Sequence, residues 1–269
     1  MEKETIIKIL DFIEKKENKL SSKSSKFINK IKFIERLDSI VPFTKEELNI
    51  KGNLYLDGTE ITYLPEGLKV GGDLVLFDSA ITSLPKGLKV GGDLNLENCK
   101  NLTSLPKDLQ VRGSLELSRT NIKSLPEGLK VGDDLLLKKC VNLTFLPKGL
   151  EVGGSLNLAY SSIELLPEGL NVSSDLYLSF CENISSLPEG LKVGGNLHLE
   201  YTKIPSLPEG LYVGQHLFLG YSKITLLPKG LKVGENLYIK NSPLTKYSDY
   251  EIIKMIAPGY IQGKIDRSW

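Results

Sequence analysis

Leu64-Pro65-Glu66-Gly67-Leu68-Lys69-Val70-Gly71-Gly72-Asp73-Leu74-Val75-Leu76 is the stretch that decides the fold, because close copies of it fill residues 51–244 of the 269-residue chain. Its Leu-Pro pair recurs from Leu84, Leu105, Leu125, Leu146, Leu166, Leu187, Leu207 and Leu227, at intervals of 20 or 21 residues. Its Leu-x-Leu element starts at Leu54, Leu74, Leu94, Leu115, Leu135, Leu156, Leu176, Leu197, Leu217 and Leu237, which makes ten turns. A fixed period of this length is the signature of a solenoid, in which each unit contacts only its neighbours.

Within a turn, Leu-x-Leu has a period of two, so its leucines share one face and the middle residue takes the other. A small residue comes next (Thr59, Ser79, Cys99 and their copies), then an apolar one such as Ile61 or Ile81. The Leu of Leu-Pro, the Leu of Gly-Leu and a Val complete six apolar side chains per turn. Each is worth ~1.5–3 kcal/mol when buried, and one turn alone cannot hide them, so turns must stack. Proline fixes an extended φ and removes an unneeded donor. Gly67 and Gly71-Gly72 open tight corners. Asp108, Arg112, Asp133 and Ser173-Ser174 stand at corner positions, so not every glycine there is required.

The pattern Leu-x-Leu-x-x-(Thr/Ser/Cys)-x-(Ile/Leu)-x-x-Leu-Pro resembles a leucine-rich repeat. The short period, the Leu-Pro pair and Val90-Gly91-Gly92-Asp93-Leu94-Asn95-Leu96 are similar to the bacterial and phage variety, as in leucine-rich-repeat effectors of pathogenic bacteria. The resemblance implies a horseshoe with a concave parallel β-sheet, a largely non-helical convex side and a role in binding proteins, with bacterial or phage host interaction as the setting. The ligase domain of some such effectors needs a long segment after the repeats, and only residues 245–269 follow here.

Residues 1–50 and 245–269 read as caps over the ends of the apolar core. In the first, Ile6, Ile9, Leu10 and Ile13 fall at helical spacing, and Phe27, Ile31, Ile34 and Leu37 mark a second amphipathic helix. Thr44-Lys45-Glu46-Glu47 resembles a capping start. A separate docking or membrane-surface helix is the alternative for this segment. In the last, Ser248 or Asp249 starts a short helix that Pro258-Gly259 ends, and residues 260–265 form a closing strand.

A formal net charge of +1 is a poor basis for non-specific nucleic-acid binding. No apolar run approaches the ~20 residues that span a bilayer. Nor does the start show the apolar core and cleavage site of a signal peptide. Cytoplasmic synthesis is expected, with signal-independent export left open. Cys99, Cys140 and Cys181 lie 41 residues apart, two turns, on the order of 10 Å and beyond disulfide or shared-zinc reach. They read as buried members of the small-residue column. Each sits in a turn with one extra residue and an Asn (Asn101, Asn142, Asn183), a residue that tolerates a left-handed bulge. His198 and His216, the only histidines, sit on adjacent strands, where a metal pair or pH switch is weighed but lacks a third ligand.

Two variable columns carry the functional expectation. The middle-of-strand column runs Tyr55, Val75, Asn95, Glu116, Leu136, Asn157, Tyr177, His198, Phe218, Tyr238. The column four residues after the first leucine runs Gly58, Asp78, Asn98, Arg119, Lys139, Tyr160, Phe180, Tyr201, Tyr221, Asn241. The expected partner-binding residues are therefore Tyr160, Tyr177, Phe180, His198, Tyr201, Phe218, Tyr221 and Tyr238. Exposed aromatic clusters mark interaction, while cross-strand stacking that stiffens the sheet is the alternative. A protein partner leads, and a glycan or cell-surface ligand stacking on the same rings is the second choice. From Asn157 onward no Lys or Arg occupies either column, which disfavours a nucleic acid. No nucleophile–base pair, phosphate-cradling loop or metal spacing is present in the sequence, so no catalysis, cofactor or metal is expected.

Overall fold

The computed structural model describes residues 27–31 and 43–268. The chain winds as a parallel β-solenoid. Each turn contributes two strands of two residues, which build two 11-stranded parallel sheets. The leucine sheet runs from Leu54–Tyr55 to Ile265–Asp266, and the valine sheet from Asn49–Ile50 to Tyr260–Ile261. The leucine pattern predicted the first sheet. The second, formed by Lys-Val pairs such as Lys69–Val70, lies on the other side of each turn.

Register follows the repeat. Leu54 pairs with Leu74 and Leu74 with Leu94, so identical positions stack from turn to turn. The leucines, the following Ile or Leu and the Val point inward, and nearly all of them are buried in one continuous core. The small-residue column is buried as well, apart from the half-buried Thr59 at its start. Thr120, Thr202 and Ser242 donate to the carbonyl three residues back. The thiols of Cys99, Cys140 and Cys181 instead donate to Leu76, Leu117 and Leu158 O in the turn before. Burial raises all three thiol pKa values, that of Cys140 to about 11, so they are inert ladder residues.

A column unnoticed in the sequence locks the turns together. The residue before each Leu-x-Leu offers a side-chain acceptor to the backbone N–H of its counterpart in the next turn. Asn53 Oδ1 accepts from Asp73 N, Asp73 Oδ1 from Asp93 N, and Asp93 Oδ1 from Ser114 N, at 2.7–2.9 Å. The series continues to Asn236 Oδ1 accepting from Lys264 N. It also explains the second glycine of Gly-Gly. A Cβ on Gly92 would lie 2.1 Å from Asp73 Oδ1, and one on Gly195 2.2 Å from Asp175 Oδ1. Glycine gives way over the shorter serines, with Asp133 over Ser114 and Ser174 over Ser155, and also at Gln215 and Glu235, over Asn196 and His216.

Residues 27–31 are helical, and Phe27, Ile28 and Ile31 join the core. Thr44 and Glu47 form the expected reciprocal cap, with Thr44 N donating to Glu47 Oε2 and Glu47 N to Thr44 Oγ1. The expected helix around Ile6–Ile13 and the positions Ile34 and Leu37 lie outside the described residues. At the other end Ser248 caps the helix Asp249–Ile256, whose Ile252 and Ile256 are buried. The segment after it adds an eleventh rung to both sheets rather than a single closing strand.

Candidate interaction face

The aromatic residues lie on the outer surface of the leucine sheet. The middle-of-strand column faces outward by alternation. The second column faces outward for a different reason. All ten of its residues, from Gly58 to Asn241, have φ between 53° and 62°. This left-handed conformation ends each strand and turns the side chain away from the core. Gly, Asn and Asp take it readily and bulky side chains do not. The first three positions (Gly58, Asp78, Asn98) and the last (Asn241) obey this preference, whereas Tyr160, Phe180, Tyr201 and Tyr221 defy it at four successive turns.

These four rings form a ladder. Centroids lie 4.4, 4.3 and 4.6 Å apart, with planes within 11° of parallel. A second ladder runs alongside it: Tyr177, His198, Phe218 and Tyr238 stack at 4.5, 4.3 and 4.6 Å. Strands in a sheet are ~4.7–4.9 Å apart, so each ring stacks on its counterpart one strand away. Lys139 and Lys138 lie over the outer face of Tyr160, which begins the first ladder. Tyr160, Tyr201 and Tyr221 are 39–41% exposed, and Phe218 is only 8% exposed. Of the eight expected contact residues, Phe218 is therefore a buried wall of the face rather than an open contact.

Between the ladders lies a shallow floor of Ala159, Ser179, Glu200 and Gly220, one residue before the left-handed position. A cavity of about 310 Å³ opens there, lined by Phe180, Tyr201, Phe218, Tyr221 and Tyr238 around Ser179, Glu200 and Gly220. Glu200 accepts from Ser179 Oγ at 2.7 Å and pairs with His198 Nδ1 at 3.3 Å. Burial pushes its pKa up, but the hydrogen bonds from His198 and Ser179 prevail and hold it below the usual carboxylate value. Asp175 accepts the Tyr177 hydroxyl, and burial together with that bond pushes the tyrosine to about 12.

The two histidines have separate duties. His198 is a rung of the second ladder. His216 belongs to the acceptor column: its Nδ1 accepts from Asn236 N at 3.1 Å, and its Nε2 meets Glu235 at 3.0 Å. The sequence signal for that column was the Asn, Asp or Ser before nearly every Leu-x-Leu. Among the described residues, no helix is long and apolar enough to cross a membrane. In comparison with known proteins, the chain matches no family model and none of the curated proteins significantly.

Proposed function

We propose that the chain is a non-enzymatic protein-binding module of leucine-rich-repeat type, similar to the bacterial and phage variety, that holds its partner on the aromatic half of the leucine sheet. One observation carries the reading. Tyr160, Phe180, Tyr201 and Tyr221 occupy a left-handed position that Gly or Asn would fill without strain. Such strain costs about 1–2 kcal/mol per residue, and a stacked pair returns only about 0.5–1.5 kcal/mol. At mid-range values four strained residues cost about 6 kcal/mol and three stacks contribute about 3 kcal/mol beyond the area the rings bury, so ring stacking by itself does not account for the ladder. Backbone strain of this kind collects at functional sites.

The stacking also favours a protein over a glycan or a single-stranded nucleic acid. Sugars and bases bind aromatic side chains through ring faces, but inside a ladder the faces cover one another. What points outward is ring edges and tyrosine hydroxyls, an amphipathic surface suited to a protein partner.

The test replaces Tyr160, Phe180, Tyr201 and Tyr221 together with Asn, the residue the repeat itself uses at Asn98 and Asn241. Affinity capture with mass spectrometry is run on the wild type and the variant. The expected result is a reproducible partner set captured by the wild type and lost by the variant, with the melting temperature kept or raised. Equal capture by both proteins would reject the site. Retention on a glycan array that the variant loses would assign the face to sugars instead.

A further inference from the structure

The valine sheet carries a second candidate site, remote from the aromatic ladders and independent of their reading. A cavity of about 560 Å³ is lined by Lys69, Lys89, Lys107, Arg112 and Lys130, with Asp108 as the sole carboxylate of its lining. Asp108 is engaged, since its Oδ2 accepts from Gly87 N at 2.8 Å. Lys130 pairs with Glu151 at 2.8 Å. Among the described residues, Lys69, Lys89, Lys107 and Arg112 have no ion-pair partner.

This clustering is more than the repeat's habit of writing Lys before Val. Lys69 and Lys89 face each other directly in the parallel register, an arrangement that like charges disfavour. Elsewhere in the same column the lysines are spaced out: Lys192 lies between Asn171 and Tyr212, and Lys232 between Tyr212 and Tyr260.

Arg112 adds a second, steric observation. It stands where seven other turns have glycine: Gly71, Gly91, Gly132, Gly153, Gly194, Gly214 and Gly234. At Gly91, Gly132 and Gly153 an added Cβ would lie 1.7–2.2 Å from the carbonyl oxygen of the turn before. Within the array the corner thus selects against side chains, and the one other interior exception, Ser173, is small; the two end rungs carry Lys51 and Gln262. In the turn of Arg112 the pairing with the following turn shrinks to Val111↔Val131, as it does again at Val152↔Val172, next to the other interior exception Ser173. The same turn also replaces the left-handed glycine of Leu-Pro-x-Gly with Asp108. Both departures from the repeat coincide with the cavity and with the unpaired cations.

We propose that this groove is an anion site that takes a small ligand bearing two or more phosphate or sulfate groups. Its volume falls in the ~300–1,000 Å³ range of small-molecule sites. Its cations emerge from successive strands ~4.8 Å apart, which suits adjacent anionic groups better than a single one. A long nucleic acid fits less well. The run of cations ends after four turns, where Glu151 faces Lys130, and a tracking groove needs a continuous one.

Calorimetric titration of the full chain with tripolyphosphate at low salt tests the site. Saturable binding is expected, weakening as salt rises. Arg112→Gly restores the residue the corner prefers, so it should keep or raise the melting temperature while weakening tripolyphosphate about tenfold. Lys89→Gln should weaken it comparably, and Lys192→Gln and Lys232→Gln should leave it unchanged. The proposal fails if tripolyphosphate does not bind, if Arg112→Gly and Lys89→Gln bind as the wild type does, or if the distant lysine variants lose as much. A short single-stranded oligonucleotide forms the other arm. If it binds through Arg112 and tripolyphosphate cannot displace it, the site is for a polymer and the small-ligand assignment is wrong.

Discussion

The leucine sheet has two halves built on one scaffold. From Leu54 to Lys139 its outer columns are mainly polar: Asn98 donates to Asp78, Arg119 approaches Glu97, and Glu116 accepts from Ser118 N. From Tyr160 to Tyr238 the same backbone positions carry two aromatic ladders. Register, corner hydrogen bonds and the left-handed φ do not change between the halves. The repeat therefore separates two tasks. Leucines, glycines and the acceptor column hold the turns, while two outward columns are free to vary. Even strain is uniform in geometry and differs only in which residue must bear it.

The largest effect tests whether the scaffold is one mechanism in both halves. Gly92→Ala in the polar half and Gly195→Ala in the aromatic half each place a methyl about 2 Å from an aspartate oxygen of the turn below. Each should destabilise by about 1–3 kcal/mol, the cost of overpacking, measured by chemical denaturation. Adding Asp73→Ser to the first, or Asp175→Ser to the second, should recover most of the loss, because that pairing already exists where Asp133 lies over Ser114. Double variants no more stable than the singles would show that the aspartate is not what excludes the methyl.

This pair also marks what was legible in the sequence. Period, core residues, the inward Leu-x-Leu strand and both outer columns follow from spacing, because stacking forces identical positions into register. The valine sheet was harder to read, since Lys-Val offers only two residues and no visible alternation. The acceptor column was readable as the Asn, Asp or Ser before nearly every Leu-x-Leu, but its bond runs between turns, so no local pattern announces it. The left-handed φ of Tyr160 and its successors was hidden because the residue types there contradict the conformation. The Gly, Asp and Asn of the earlier turns were the clue.

A smaller effect separates strain from stacking within the aromatic half. Tyr201→Asn removes two stacked contacts, to Phe180 and Tyr221, but relieves one left-handed residue. The reciprocal change Asn98→Tyr adds the strain with no ring beside it. If strain governs, Tyr201→Asn should change stability by less than about 1 kcal/mol in either direction, and Asn98→Tyr should cost about 1–2 kcal/mol. A loss above 2 kcal/mol for Tyr201→Asn would mean that stacking holds the sheet, and the ladder would then need no partner to explain it.

The smallest effect contrasts two half-buried glutamates, one in each half. Glu200 has a native pKa below its unfolded value near 4.5, because His198 and Ser179 donate to it against the pull of burial. Its contribution is present above about pH 4.5 and is lost as the pH falls through the lower native value. Glu116 is shifted the other way, upward, by burial first and by the charge of Glu97 in addition. The native state then binds protons more readily than the unfolded chain, so Glu116 opposes folding at neutral pH and is relieved as the pH falls through its raised value. Denaturation midpoints measured from pH 7 to pH 3 should separate the two. Glu200→Gln should lower stability at pH 7 and flatten the acid limb. Glu116→Gln should raise stability at pH 7, with the gain vanishing on acidification. If both variants move the acid limb in the same direction, the contrast between a hydrogen-bonded carboxylate in the aromatic groove and a crowded one on the polar half is wrong.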